Sequence, residues 1–472
     1  MDGDGEAMKR AGLMIAAAMA AQAHVGSPDV FFEGSAGPYP LLVTMRPPAV
    51  IPGVAEIEIR SSSPDIREIR VAPTPLTGAA ANHPPTPDVL QRSKLDAQFF
   101  TGSVWIMAPD EWQVRIQVDG GQGTGRISVP LPAVATATKS MRFAVGAFLF
   151  VMMLVLVVGM VSIVGAGARE GQLVPGAQAT AASKRRARIL MAATAAIIVL
   201  TLWGGDRWWS AEASGYAGNL YKPMEMTAAV DAHGKLTLAL KNPPWSMQKL
   251  LYDFIPDHGH LMHLYMIQEP DAGRVWHLHP NMTDPGVFTH DLPPIPAGRY
   301  KLYADVVHSI GFPETMTAEL TLDHDLTGTP IAGDDAAGVR GESQDGAHIV
   351  WDRPASIPAR AASVFKFRLV DRDGNPVRDM ELYMGMLGHA AFVKDDGTVF
   401  AHVHPSGSVA MAALALANPG AEDHSMHHMM SGPPAEADFP YGFPKAGRYH
   451  VIVQMKHGGV IETGIFDTDV ID

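Results

Sequence analysis

The stretch GHAAFVKDDGTVFAHVHP, residues 388–405, says most about the fold of this chain. An Asp-Gly pair at its centre, between runs of alternating polar and apolar residues, predicts a β-hairpin with a tight turn. Counting outwards from the turn pairs Ala391 with His402 and His389 with His404. Side chains two residues apart on a strand point the same way, so His402 shares a face with His404. The hairpin therefore predicts three imidazoles on one patch of a sheet.

A similar pattern occurs earlier, so the chain contains an internal repeat. Each copy has a first histidine, an HxHP motif, an AGRY motif and a last histidine. The four histidines are His263, His277, His279 and His308 in copy 1, and His389, His402, His404 and His457 in copy 2. In copy 1, pairing His263 with His279 leaves a five-residue loop, and Trp276 and Leu278 then point to the core side.

The repeated histidines predict a metal site in each copy, because imidazole nitrogens bind copper, zinc, nickel and iron. His308 and His457 end a later strand of their copies and are candidate fourth ligands. The alternative is that these histidines only hydrogen-bond to backbone or tyrosine groups, which is the usual state of an isolated histidine on a strand.

A His- and Met-rich tract, HSMHHMM at residues 424–430, lies in a Gly- and Pro-bounded insertion of copy 2. Flexible tracts of this kind bind copper, since imidazole favours Cu(II) and thioether favours Cu(I). The alternative is a polar loop without a ligand. The further candidate ligands here are His424, Met426, His427, His428 and Met429.

The composition of the 472 residues excludes several kinds of protein. A formal net charge of −13 argues against nucleic acid as a partner. The chain has no cysteine, which excludes disulfides, thiolate zinc sites, iron–sulfur clusters and blue-copper sites. With 20 His and 26 Met, imidazole and thioether are the nitrogen and soft-sulfur ligands that remain.

Two apolar segments, residues 143–168 and 189–205, are long enough to cross a bilayer. The short loop between them is rich in lysine and arginine, and the positive-inside rule puts it in the cytoplasm. Residues 139–210 therefore predict a transmembrane hairpin, with the rest of the chain facing outward. The alternative is a buried helical hairpin in a soluble protein.

The first residues have the pattern of a secretory signal peptide, residues 1–23, with an A-x-A cleavage site before His24. A mature N-terminal His24 would offer its amine and its imidazole to a metal, or would simply be solvated. Alternating stretches such as AEIEIR at residues 55–60 then predict antiparallel sheets in a first domain over residues 24–138. Its other histidine, His83, lies in a proline-rich loop and is expected to be solvated.

The mature start AHVGSP, residues 23–28, and the sheets after it resemble the CopC-like and YtkA-like periplasmic copper-binding domains. The GH…FAHVHP…AGRY pattern resembles cupredoxin-like secreted domains of bacterial envelope proteins, many of unassigned function. The first resemblance implies a β-sandwich, a copper role and His24 as a ligand. Blue-copper electron transfer is not expected, because the cupredoxin cysteine is absent.

The expected fold is mainly β, with three antiparallel β-sandwich domains, Ig- or cupredoxin-like, and a two-helix transmembrane hairpin. The second and third domains are copy 1, residues 211–327, and copy 2, residues 346–472, joined by a linker, residues 328–345. The expected location is the bacterial inner membrane, with the β-domains facing the periplasm.

The expected function is copper binding, in delivery or homeostasis, with zinc as the alternative ion and no catalytic residue assigned. A mononuclear copper oxidoreductase and an accessory or assembly subunit of a membrane metalloenzyme complex are the other two hypotheses. The expected partners are a metal ion, the membrane, and another envelope metalloprotein or a transporter, with no nucleic acid.

Overall fold

The computed structural model describes residues 29–174, 176–243, 249–420 and 432–472. The described chain is mainly β, with several antiparallel sheets and two long apolar helices. It divides into two compact units: residues 29–134, 222–243 and 249–472 form one, and residues 135–221 form the other. The predicted signal peptide with His24 and the His/Met tract of residues 424–430 lie outside the described residues.

The N-terminal region contains two antiparallel sheets, ordered β1-β2-β3-β7-β6 and β5-β4-β8-β9. Alternation in the sequence sets the burial, since Ala55, Ile57 and Ile59 of β3 are buried between polar neighbours. A 3-10 helix, Ala79–Asn82, precedes the exposed His83. The strands are β1 Val30–Ala36, β2 Tyr39–Arg46, β3 Gly53–Arg60, β4 Ile66–Pro75, β5 Asp88–Val89, β6 Gln91–Arg92, β7 Phe99–Ile106, β8 Asp110–Gly120 and β9 Gly123–Ala133.

The second unit consists mainly of two helices, α1 Phe143–Glu170 and α2 Ala181–Gly218, both long and apolar enough to cross a membrane. The helix α2 extends beyond the predicted second span, residues 189–205, at both ends. The basic residues 184–188 lie in the first turns of α2 rather than in a loop, and residues 211–218 are helix rather than part of copy 1. Alanine-rich polar flanks continue a helix without being apolar, so hydropathy locates the span and not the helix ends.

Copy 1 contains two sheets, β10-β11-β16-β15 and β12-β17-β13-β14-β19, and β18 pairs with β17. The register is the predicted one, since Leu264 pairs with Leu278, and Trp276 and Leu278 are in the core. The strands are β10 Glu225–Val230, β11 Lys235–Lys241, β12 Phe254–Ile255, β13 His263–Gln268, β14 Arg274–Leu278, β15 Asn281–Asp284, β16 Val287–Asp291, β17 Gly298–His308, β18 Pro313–Leu322 and β19 Ala336–Val339.

The predicted linker, residues 328–345, also contributes a strand to the copy 1 sheet. Its strand β19 pairs with β14 along the edge of the copy 1 sheet, from Arg274 opposite Val339 to His277 opposite Ala336. This strand was not predicted, because the segment is rich in Gly and Asp and such residues are depleted in strands. We call residues 328–345 the connecting segment.

Copy 2 contains the sheets β20-β21-β25 and β22-β26-β23-β24, and β27 pairs with β26. The hairpin register is confirmed, since Ala391 pairs with His402 across β23 and β24. A short helix, α3 Met411–Ala417, follows the HxHP motif. The strands are β20 His348–Asp352, β21 Ser363–Val370, β22 Met380–Glu381, β23 His389–Lys394, β24 Phe400–Val403, β25 Glu436–Tyr441, β26 Gly447–His457 and β27 Val460–Val470.

The AGRY motifs have the same structural role in both copies. The Tyr300 hydroxyl donates to the Pro296 carbonyl at 2.7 Å, and the Tyr449 hydroxyl donates to the Lys445 carbonyl at 2.8 Å. Both rings are fully buried in the core of their copy. Each tyrosine thus ties the start of a long strand, β17 or β26, to the chain four residues upstream.

The histidine-bearing sheets of the two copies pack against each other within the first unit. An apolar cluster joins them, with Tyr265 and Val275 of copy 1 against Ala391 and Phe400 of copy 2. The Tyr303 and Phe400 rings stack with centroids 4.5 Å apart. The faces that carry the histidines are therefore buried between the copies and not open to solvent.

Candidate metal centre

Eight histidines meet between the two copies, and the strand registers explain how six of them come together. On each hairpin the first histidine and both histidines of the HxHP motif point to the face that packs on the other copy. Two more come from the loop before β13. The eight are His258, His260, His263, His277 and His279 of copy 1 and His389, His402 and His404 of copy 2.

The first group of ligands comes from copy 1 alone. One imidazole nitrogen from each of His263, His277 and His279 lies within 4.8 Å of the others, and all three side chains are buried. The structure thus brings together the three residues that the sequence grouped in this copy. Three neutral imidazoles at this spacing can ligate one metal ion.

The second group draws on both copies. Nitrogens of His389 and His404 lie within 4.8 Å of each other and of a nitrogen of His258. The sequence grouped His389, His402 and His404, and these rings are close, with centroids 4.6 to 5.5 Å apart. His258 nevertheless completes the tighter set, because the copy 1 loop reaches across the interface.

His402 lies between the two groups. Its ring centroid is 5.2 Å from that of His263 and 4.6 Å from that of His404. Its Nδ1 lies 3.4 Å from a carboxylate oxygen of Asp305 in copy 1. His402 is therefore placed to serve either group or to bridge them.

Burial keeps four histidines of this cluster uncharged. It lowers the pKa values of His263, His277, His389 and His404 well below the usual range, and neighbouring imidazoles lower them further. Neutral imidazole is the form that binds a metal. These four imidazoles are thus held in their ligating state over the physiological pH range.

His389 has an unusual environment for a buried polar side chain. It is 0% exposed, and neither ring nitrogen has a hydrogen-bond partner among the described residues. Nε2 of His258, of His279 and of His402 is also buried without such a partner. A buried polar group without a partner costs about 1–3 kcal/mol, so this arrangement calls for a bound ligand.

Carboxylates and an amide orient the rings from outside. His279 Nδ1 lies 3.0 Å from an oxygen of Asp335, and His260 Nε2 lies 3.2 Å from an oxygen of Asp334. His277 Nδ1 lies 2.8 Å from Gln454 Oε1 of the other copy. Such outer contacts fix the tautomer and the direction of a ligating imidazole.

Asp334 and Asp335 belong to the connecting segment, and Asp335 also pairs with His290. Although burial opposes ionisation, the hydrogen bonds from His279 and His290 hold the pKa of Asp335 well below its usual range. The carboxylate is therefore a permanent negative charge beside the imidazoles. The segment between the copies completes the surroundings of the histidine centre.

His258 and His260 were not among the predicted ligands, although the sequence contains a signal for them. The segment DHGH, residues 257–260, corresponds to YMGM, residues 383–386, in copy 2. In each the second residue has a positive φ of 50° and the first and fourth residues form a bridge. The two loops are therefore the same turn with imidazoles in one copy and thioethers in the other.

The structure places His308 and His457, the two candidate fourth ligands, away from the histidine centre. Each is on the opposite face of its strand from the centre. On β17, Asp305 faces His402, and His308 lies three residues later among core-side neighbours. On β26, Gln454 faces His277, and His457 lies three residues later. An odd spacing along a strand reverses the direction of a side chain.

Comparisons with known proteins give no function. A family model described as a domain of unknown function, DUF8832, matches residues 342–471, which contain copy 2. No curated protein matches the chain. Two solved structures that align with it are a tetra-tandem repeat in the extending region of a large adhesion protein and the FN1–FN3 domains of chicken CNTN1.

The adhesion repeat is 8% identical, with 93% of this chain and 82% of that chain covered and a TM-score of 0.17. The chicken domains are 9% identical, with 91% and 97% covered and a TM-score of 0.14. Neither likeness carries an argument about this chain, so its function has to be inferred from the centre itself.

Proposed function

We propose that this protein is a membrane-anchored copper-binding protein of the bacterial envelope that holds two copper ions between its two repeats and acts in copper delivery or homeostasis. The observation that carries the proposal is the buried cluster of imidazoles in two groups of three. His389, with both nitrogens unpartnered among the described residues, has no evident structural use without a metal.

Copper is favoured over other ions by the donors available. Both groups consist of imidazoles, with no thiolate and no carboxylate among the grouped atoms. The affinity of nitrogen ligands for divalent first-row metals is highest for Cu²⁺. The tract at residues 424–430 adds thioethers, which suit Cu(I) and of which zinc makes no comparable use.

We also propose the type of β-fold and the membrane topology of the chain. Each strand-rich region is a β-sandwich of the Ig or cupredoxin kind, and α1 and α2 cross the inner membrane with the basic residues 184–188 in the cytoplasm. Both repeats then face the periplasm, where another envelope metalloprotein or a transporter would exchange copper with them. A reporter fused at residue 178 should be cytoplasmic and one at the C-terminus periplasmic. The same side for both reporters would contradict this topology.

Copper stoichiometry tests the proposal directly. Protein purified in detergent should bind two equivalents of copper by calorimetry, and copper should be the main metal in material taken from native membranes. The double variant His389→Ala, His404→Ala removes two of three ligands from the second group and should keep one equivalent. The exposed His83→Ala is the matched control and should keep both. Unchanged copper binding in the double variant, or zinc bound more tightly than copper, would contradict the proposal.

A copper-dependent oxidoreductase is the second candidate, because two buried tyrosines flank the centre. The Tyr265 ring stacks on His277 with centroids 4.1 Å apart, and the Tyr383 ring lies 5.1 Å from that of His389. Phenol side chains beside a redox-active metal can exchange electrons with it. Copper-dependent oxygen consumption with a reducing substrate, lost in the double variant, would favour the enzyme; its absence would favour the carrier.

A further inference from the structure

Each repeat has a second polar cluster on the core side of its sheet, built around the last histidine. In copy 1, His308 Nδ1 lies 2.8 Å from Asp253 Oδ1 and Nε2 lies 3.1 Å from Glu314 Oε2. In copy 2, His457 Nδ1 lies 3.4 Å from Asp379 Oδ1, and Glu462 lies nearby.

The two clusters occupy equivalent positions. Phe254, next to Asp253, pairs with His308, and Met380, next to Asp379, pairs with His457. Glu314 lies near the start of β18, opposite Val306 of β17. Glu462 lies near the start of β27, opposite Met455 of β26. The same His, Asp and Glu are therefore repeated together with the fold.

In copy 1 the negative charge is balanced from within the protein. The Lys249 ammonium forms an ion pair with Glu314, whose side chain is completely buried, and the Met224 amide donates to the same carboxylate at 2.7 Å. Burial opposes ionisation, but the hydrogen bond from His308 and the charge of Lys249 lower the pKa of Glu314. This cluster is a complete ion network.

In copy 2 a third carboxylate, that of Asp345, joins the cluster from the connecting segment. Asp345 Oδ2 lies 3.4 Å from His457 Nε2, which is buried and makes no hydrogen bond among the described residues. The buried Glu462 accepts the backbone amide of Gln344 at 2.9 Å. Within the described parts of the chain, no lysine or arginine forms an ion pair with the carboxylates of Asp345, Asp379 or Glu462, although the Arg372 guanidinium donates to the Asp345 backbone carbonyl at 2.6 Å.

Burial raises the pKa of Glu462, and the backbone amides of Gln344 and Asp345 only partly offset it. The equivalent carboxylate in copy 1 is shifted the other way. The repeated cluster has thus kept its ligand-type residues in copy 2 and lost the positive charge that satisfies them in copy 1.

We propose that Asp345, His457 and Glu462 bind a divalent cation that accepts mixed oxygen and imidazole donors, such as Mn²⁺ or Zn²⁺. One ligand atom from each of the three lies within 4.8 Å of the others, and Asp379 is on the far side of the His457 ring. Carboxylates suit harder ions than the all-imidazole centre does, so the two sites select different metals. This site does not depend on copper binding at the histidine centre.

The position of this site gives it a structural consequence. Asp345 ends the connecting segment, which also carries the Asp334 and Asp335 carboxylates that orient His260 and His279. A cation held by Asp345, His457 and Glu462 fixes this segment to strands β26 and β27 of copy 2. It would therefore stabilise the outer contacts of the histidine centre without touching its ligands.

Manganese binding tests the site. Full-length protein in detergent is titrated with Mn²⁺ alone, and free Mn²⁺ is counted by its electron paramagnetic resonance signal; the titration is repeated with Zn²⁺ as competitor. We expect one equivalent of Mn²⁺, displaced by Zn²⁺, and at least about tenfold weaker binding in Asp345→Asn and in His457→Gln. Asp345 is largely exposed, so its variant should fold, and thermal unfolding checks this.

The matched controls come from copy 1 and from the histidine centre. Asp253→Asn changes the equivalent carboxylate of copy 1, and the double variant His389→Ala, His404→Ala changes the other centre; both should bind Mn²⁺ as the wild type does. No uptake of either ion by the wild type, wild-type affinity in folded Asp345→Asn, or an equal loss in Asp253→Asn would overturn the proposal.

Discussion

Copy 1 and copy 2 share the hairpin that carries the histidines and the long strand beside it, yet they carry different chemistry at three equivalent places. Copy 1 has imidazoles at 258 and 260 where copy 2 has Met384 and Met386. Copy 1 has Asp305 facing the centre where copy 2 has Gln454. The buried Glu314 is paired with Lys249, whereas Glu462 lies beside Asp345.

A duplicated fold can therefore produce an asymmetric centre. The backbone supplies a pair of facing hairpins, and the side chains on the edge loops decide what each half contributes. Copy 1 gives five imidazoles and copy 2 gives three. The second group is complete only because His258 crosses from copy 1. Neither copy by itself holds both groups.

Acid should have the largest effect. A buried histidine with a folded-state pKa below its unfolded value near 6.5 leaves the unfolded chain binding more protons, so stability falls as pH drops below about 6.5. Each such histidine contributes up to about 1.4 kcal/mol per pH unit. Denaturant unfolding of the metal-free protein between pH 7.5 and 5 measures this.

Two variants divide the acid effect between the copies. His263→Gln with His277→Gln removes the copy 1 contribution, and His389→Gln with His404→Gln removes that of copy 2. In each double variant, the slope of the free energy of unfolding against pH should fall by about half. Each double variant removes two of the four histidines with strongly lowered pKa values. A slope that changes in only one pair would show that the copies are not equivalent in this respect.

Replacing the two histidines of the copy 1 loop with the methionines of the copy 2 loop should have the next largest effect, which is on copper affinity. His258→Met with His260→Met takes the third imidazole from the second group. Because even outer contacts of a metal change affinity by 10- to 100-fold, we expect Cu(II) binding at this group to weaken at least ~100-fold. Cu(I) should be affected less, since thioethers suit it. Competition with chelators of known affinity measures both, and equal losses for the two oxidation states would contradict the assignment.

The first histidine of each copy provides a matched pair for stability. His263 has partners on both nitrogens, the Asp257 carbonyl and His277, whereas His389 has none among the described residues. Without metal, His389→Leu should be neutral or stabilising by about 1–3 kcal/mol, and His263→Leu should destabilise by a similar amount. Urea unfolding of the metal-free proteins gives both values; equal destabilisation would show that His389 is satisfied.

Saturating copper should reverse this order for His389. Ligand binding to the folded state adds about 2.7 kcal/mol at a free concentration one hundred times Kd. The wild type should gain this for each ion, and His389→Leu should lose the gain of one ion. A full copper-dependent gain in His389→Leu would remove this residue from the centre.

The AGRY tyrosines should give the smallest effect and the same one in both copies. Tyr300→Phe and Tyr449→Phe each lose one hydroxyl bond to a carbonyl, at 2.7 and 2.8 Å. A hydrogen bond of this kind contributes about 0.5–1.5 kcal/mol, so each variant should lose that much and bind copper normally. Thermal unfolding checks the pair. A much larger loss in one copy would break the structural equivalence of the repeats.

Much of the fold could be predicted from the sequence because the signals are local. The Asp-Gly turn and strict alternation determined the hairpin and its register, so Ala391 pairs with His402 as expected. Apolar length located α1 and α2 but not their ends, since Lys184 and its neighbours extend a helix without being apolar. Strand β19 was missed because its few residues carry no alternation.

The candidate centre was predictable only in part. Repetition and parity placed His263, His277 and His279 on one face, and His389, His402 and His404 on another. His308 and His457 lie three residues beyond Asp305 and Gln454, so they point away from the centre. His258 was not predicted because it lies in a turn, where no sequence period indicates which way a side chain points.

The hairpins, the repeat and the sharing of a face by the histidines follow from local sequence, because turn chemistry and the two-residue period of a strand act between neighbours in the chain. The packing of the sheets, in contrast, is what makes the two faces meet, brings His258 to His389 and His404, and sets Asp335 and Gln454 against the rings. These contacts join residues far apart in sequence. They depend on how the apolar cluster around Tyr265 and Phe400 packs the two sheets together, which no local pattern records.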